Sequence, residues 1–151
     1  LEFFFRDQRP QAWNQWAEVV GRDMRAPRFV GDMPHGWVAS DYLRSALDMF
    51  AYERAEDAAI VLAAGVPESW FAEQGFVVRG LETPYGRLDY SIRREGTGYR
   101  VRIDGAARPP SGFVVALPSP EEVRFCVNGA PVAGREIKVD QPRTDVRIRP
   151  C

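Results

Sequence analysis

Arg87-Leu88-Asp89-Tyr90-Ser91-Ile92-Arg93-Arg94-Glu95-Gly96-Thr97-Gly98-Tyr99-Arg100-Val101-Arg102-Ile103-Asp104 is the stretch that decides the fold class. Leu88, Tyr90 and Ile92 alternate with Arg87, Asp89, Ser91 and Arg93, and Tyr99, Val101 and Ile103 alternate with Arg100, Arg102 and Asp104. A period of two, with one apolar and one charged side, is the pattern of strands half buried in an antiparallel sheet. Glu95-Gly96-Thr97-Gly98 between the two runs suits a tight reversal. The basic face made by Arg93, Arg94, Arg100 and Arg102 reads as solvated.

The same period extends outward in both directions from about Ala58. Strands are predicted over Ile60–Leu62, Phe76–Leu81, Arg87–Arg94, Tyr99–Ile103, Phe113–Leu117, Val123–Val127, Glu136–Val139 and Asp145–Ile148. Pro67–Gln74 reads as one helical turn carrying Trp70 and Phe71. Thr83-Pro84-Tyr85-Gly86 and Asn128-Gly129 mark further turns. Seven or eight short strands so punctuated point to a β-sandwich.

Upstream the period becomes helical. His35 to Glu56 contains no Gly after Gly36 and no Pro, and Val38, Tyr42, Ala46, Met49 and Phe50 recur at three- and four-residue steps, giving one apolar stripe. Ser40 or Asp41 could cap an inner start, or Pro34 could sit in the first turn. A shorter helix is expected to end near Arg6, and residues 21–36 read as a structured loop. The expected fold is therefore α+β, with residues 1–57 a helical segment and residues 58–151 an antiparallel β-sandwich.

Composition narrows the function. The 151 residues allow one ordinary domain, or a small one plus a fragment of another. The opening Leu1-Glu2-Phe3, without Met, reads as a cut from something longer. A net charge of -1 argues against nucleic acid or an anionic membrane as the main partner. Apolar runs such as Ala58–Val66 are too short to span a bilayer. Nineteen of the twenty basic residues are Arg, which reads as coding bias rather than a phosphate-binding surface. Cys126, Cys151 and a single His cannot build a standard zinc site, so no metal or cofactor is expected. Whether the two cysteines pair, and so the redox compartment, stays open. Gly96-Thr97-Gly98 lacks the strand–loop–helix setting of a phosphate loop, and no nucleophile elbow is present.

The remaining chemistry lies between residues 11 and 42. Trp13, Trp16 and Trp37 are three of the four Trp, and Glu18, Asp32, His35 and Asp41 lie among them. Sugar sites use this mixture: an aromatic face packs on the ring's C–H face while carboxylates and imidazole meet the hydroxyls. The plainer alternatives are a solvated Glu18, a helix-start His35, a turn residue at Asp32, and Trp37, Tyr42 and Phe50 in a core.

Pro34-His35-Gly36-Trp37-Val38 opening an amphipathic helix, a short strand, and then Thr83-Pro84-Tyr85-Gly86-Arg87-Leu88-Asp89-Tyr90-Ser91 together resemble the C-terminal end of bacterial six-hairpin glycosidases of the α-L-rhamnosidase-like group. The resemblance implies the last helices of an (α/α)6 toroid followed by a bracing sandwich. Trp16-Ala17-Glu18 is similar to the segment that carries the general base, which makes Glu18 the catalytic candidate of an inverting enzyme. His35 is similar to the His of an Asn-His pair lining the sugar subsite, with Trp13, Trp16 and Trp37 as further substrate contacts. Ala17 stands between Trp and Glu here, and Pro34 replaces the Asn. The implied general acid lies upstream, so the 151-residue chain alone is expected to be inactive. The implied partners are a carbohydrate substrate and an upstream catalytic domain, in a bacterial protein whose secreted or periplasmic location is open. Two other classes compete: a non-catalytic carbohydrate-binding module, and a structural or interaction domain whose helix stripe drives docking or self-association.

Overall fold

The computed structural model describes residues 15–19, 31–72, 74–118, 124–132, 136–140 and 144–151. The chain divides into two units, Leu1–Asp48 and Met49–Cys151.

The second unit holds ten strands among its described residues: β1 (Ala51–Arg54), β2 (Ala59–Leu62), β3 (Phe76–Thr83), β4 (Gly86–Glu95), β5 (Gly98–Gly105), β6 (Phe113–Ala116), β7 (Phe125–Val127), β8 (Ala130–Val132), β9 (Glu136–Val139) and β10 (Thr144–Pro150). They form a four-stranded sheet in the order β1-β2-β6-β9 and a six-stranded sheet in the order β3-β4-β5-β10-β7-β8. The α+β class and the sandwich-like pair of sheets agree with the sequence pattern. One pairing departs from it: β2 and β6 run parallel, with Ile60 opposite Phe113 and Leu62 opposite Val115. Both strands are near-continuous apolar runs, the composition of strands buried on both faces.

One core lies between the sheets. Ile60, Leu62, Phe113, Val115 and Ile137 come from the smaller sheet, and Leu88, Tyr90, Ile92, Val101, Ile103, Val146 and Ile148 from the larger. Ala59, Val61 and Val114, pointing the opposite way, form a second buried cluster with Tyr52 and Ala116 beside it. Tyr90 enters the core because its hydroxyl donates to the Phe50 carbonyl at 2.7 Å, and burial pushes that phenol well above its ordinary pKa.

The turns follow their residues. Asn128 and Gly129 both have positive φ (49° and 91°), the requirement of the two-residue reversal between β7 and β8. Glu95 pairs with Gly98 around Gly96-Thr97, and a Cβ on Gly98 would lie 2.0 Å from the Ile148 carbonyl oxygen, so only Gly lets β10 reach β5 there. The Tyr85 hydroxyl, in the β3–β4 turn, donates to Glu53 on β1 and so links the edges of the two sheets; that bond raises the Tyr85 pKa.

The helix predicted to Glu56 ends earlier. Ala51–Arg54 is instead a strand, held to β2 by a hairpin whose turn is tied by Asp57. Asp57 accepts from the Arg54 Nε and Nη2 at 2.9 Å each and from the Ala59 amide, and the guanidinium holds its carboxyl below the usual range. That local network outweighs helical spacing at four residues. Pro67–Gln74 contains the predicted turn, as a 3-10 segment over Glu68–Phe71.

Cys126 on β7 and Cys151 are disulfide-bonded, 25 residues apart in sequence. Closing a loop of that length stabilises by about 3 kcal/mol, chiefly by restricting the unfolded chain. Cys126→Ser is therefore expected to lower the urea midpoint and to steepen the slope, because the unfolded chain without the cross-link exposes more surface. Equal midpoints for the two proteins would mean the bond is stabilising nothing.

In the first unit, α1 (Gly36–Asp48) is the one helix among the described residues, and none of its residues is buried. It begins at Gly36, with the Ala39 amide donating to the His35 carbonyl at 3.2 Å, so neither Ser40 nor Asp41 starts it. Val38, Tyr42 and Ala46 are half-buried, and Leu43 and Leu47 are 62% and 51% exposed. The segment expected to end near Arg6, and residues 21–30 of the expected loop, lie outside the described residues.

Candidate functional site

Two short pieces of the first unit run against each other. The Glu18 amide donates to the Asp32 carbonyl at 3.0 Å, and the His35 amide donates to the Trp16 carbonyl at 2.8 Å. This pairing brings Trp16 and Glu18, close in sequence to each other, beside Asp32 and His35, more than a dozen residues on. Gly31 makes the approach feasible. Its φ is 65°, and a Cβ there would sit 2.8 Å from both Cβ and Oε2 of Glu18, so the Glu18 side chain lies across the glycine.

Around this pairing the aromatic residues divide. Trp16 stacks on Tyr42 of α1, with ring centroids 4.7 Å apart at 27°. That packing uses one indole face and anchors the segment to the helix. Trp37 does the opposite: it is 71% exposed, its ring 6.1 Å from the His35 imidazole and tilted by 37°. A core role for Trp37 is therefore excluded, because a buried indole does not leave most of its surface in water. Phe50 does enter a core, in the second unit, with its ring 5.9 Å from that of Trp70. Trp13 lies outside the described residues.

Polar groups at the pairing are not all satisfied from within. His35 Nδ1 and Gln15 Oε1 are buried and have no hydrogen-bond partner among the described residues. A buried, unpartnered acceptor or donor is costly, on the order of 1–3 kcal/mol, unless something else meets it. Glu18 is exposed, so its carboxylate is open to solvent. The cluster thus offers two exposed carboxylates, Glu18 and Asp32, a half-buried imidazole and an open indole face. Those are the parts a sugar ring with hydroxyl groups would engage. Among the described residues no group of three or more His, Cys, Asp or Glu is placed to hold a metal ion, and no helix is long and apolar enough to cross a membrane.

Asp32 was legible as a turn residue, but its carbonyl as the partner of Glu18 was not, since backbone pairing leaves no mark on residue type. Compared with protein-family models, curated proteins and solved structures, the chain matches none.

Proposed function

We propose that the chain is the closing segment of a larger glycoside hydrolase, with the first unit lending residues to a sugar site and the β unit bracing the catalytic domain. The observation that carries it is the backbone pairing of residues 16–18 with residues 32–35, which sets Glu18 beside Asp32 and Trp16 beside His35, whose ring lies 6.1 Å from the open ring of Trp37. In this mechanism Glu18 is the general base that removes a proton from the attacking water, on the face of the sugar opposite the leaving group. His35 lines the sugar subsite beside Trp37, which stacks on the ring's apolar face. The disulfide between Cys126 and Cys151 suits an oxidising, extracytoplasmic setting, where polymeric glycans are met.

The test is hydrolysis of a panel of aryl glycosides, rhamnosides included, by the longer protein, with Glu18→Gln as the control. Turnover that disappears in the variant is the expected result; turnover on no glycoside would remove the hydrolase reading. One observation favours a second reading, a non-catalytic carbohydrate-binding module. Trp70, in the β unit, is 46% exposed and borders an open hollow with Ser69, Gln74 and Phe76. Sugar binding lost in Trp70→Ala, in a protein without turnover, would select it.

A further inference from the structure

The outward face of the six-stranded sheet carries a line of like charges that the sheet itself disfavours. The β4–β5 register sets Arg93 directly opposite Arg100, and the β5–β10 register sets Arg100 directly opposite Arg147. Like charges directly opposite on neighbouring strands destabilise a sheet, and adjacent strands are only about 4.8 Å apart. At its far end Arg147 meets Asn128, whose amide donates to the Arg147 carbonyl at 3.0 Å and whose Oδ1 accepts from the Arg147 amide at 3.2 Å.

The row is only partly neutralised. Asp145 accepts from Arg100 Nε at 2.8 Å and Nη2 at 2.5 Å, and from Arg102 Nε at 3.2 Å. Those bonds hold its carboxyl well below the usual carboxylate range. Arg147 lies 3.7 Å from Glu95. Among the described residues the Arg93 guanidinium has no hydrogen-bond or ion-pair partner. A hollow of about 200 Å³ takes in Arg93, Arg100, Arg102, Ser91 and Gln74 at one end of the row. A second, of about 440 Å³, takes in Arg147, Arg149 and Asn128 at the other.

We propose that this row is a docking track for a polyuronate, a polysaccharide bearing a carboxylate on each sugar. Asp145 displays the recognition in miniature: one carboxylate held bidentately by Arg100 and again by Arg102, the fork geometry guanidinium groups favour. A repeating anion laid across the strands meets Arg93, Arg100 and Arg147 in turn, with a hollow at either end to seat neighbouring residues. Nucleic acid fits less well. Base stacking needs an open ring, and Phe76, which borders the first hollow, packs edge-on against Phe71 and Tyr90. Recognition of carboxylates rests on the row alone; that a sugar carries them rests on the carbohydrate function proposed above.

The experiment is affinity electrophoresis of the full chain in gels containing polygalacturonate, neutral dextran, polyglutamate or single-stranded DNA. Retardation by polygalacturonate, and not by dextran, is expected at low salt and should weaken as salt rises. Arg93→Gln and Arg147→Gln are each expected to weaken it by roughly fivefold or more, the loss of a charge-assisted hydrogen bond. Arg87→Gln, an equal charge change off the row, should leave it nearly unchanged. Asp145→Asn should strengthen it several-fold, because Arg100 and Arg102 lose their internal carboxylate. No retardation by polygalacturonate, or retardation indifferent to Arg93 and Arg147, overturns the docking track. Equal retardation by polyglutamate or DNA overturns the sugar assignment. Specific retardation in a protein whose longer form cleaves no glycoside would uphold the track while removing the role of Glu18.

Discussion

Phe113→Ala is expected to lower the unfolding free energy by about 3–5 kcal/mol. Phe113 is wholly buried on β6, at the centre of the smaller sheet, and it faces the core shared by both sheets. Its β6 neighbours pair on both sides, with β2 and with β9, so the backbone around the lost ring cannot easily collapse into the space. The cost is then the lost transfer free energy of the ring plus an unfilled cavity. For a chain of this length that corresponds to a fall in melting temperature of roughly 10 °C. Val77→Ala supplies the contrast: Val77 is 59% exposed on β3, and a change within about 0.5 kcal/mol is expected there. Denaturant unfolding of the two variants decides it. Equal effects would mean that the two sheets do not share a close-packed core.

Glu18→Gln is expected to reduce kcat of the longer protein on its glycoside substrate by roughly 10²- to 10⁴-fold, the usual contribution of a general base. The amide keeps the shape and hydrogen-bonding reach of the carboxylate but cannot take the proton from water. KM should change little, because binding in the proposed mechanism rests on His35 and Trp37. Glu18 is exposed, and the substitution leaves the backbone bond to Asp32 intact, so melting should be unaffected. A variant with full kcat would reassign Glu18 to packing against Gly31.

The larger sheet was legible in the sequence because its strands are half buried. Leu88, Tyr90, Ile92, Val101 and Ile103, all predicted to face inward, are core residues. Where burial is two-sided the pattern is silent about direction. Ile60-Val61-Leu62 and Phe113-Val114-Val115 could be recognised as strands but not as parallel partners. β1 was hidden by helical spacing that ran on past Asp48, and β8 by the shortness of Ala130–Val132. The face of Arg93, Arg100 and Arg102 read as simply solvated. Asp145, more than forty residues away, turns Arg100 and Arg102 into a shared ion-pair network, and only register lines Arg93 up with Arg100 and Arg147. At the candidate site the residue types were visible, as Trp16, Glu18, His35 and Trp37. The division of labour between a packed Trp16 and an open Trp37 depends on which ring meets Tyr42, and spacing does not reveal that.

The parallel pairing of β2 with β6 also orders events in time. Everything between Leu62 and Phe113, the whole β3–β4–β5 meander included, separates two strands that finish side by side. Hairpins close over a few residues and form early, whereas joining distant segments pays its entropy before any contact rewards it. In pulsed hydrogen exchange during refolding, amides of β4 and β5 should become protected before those that β2 and β6 share. Protection of the parallel pair first would make that pair the nucleus instead. The meander is thus a bridge that has to be built before its two abutments can touch.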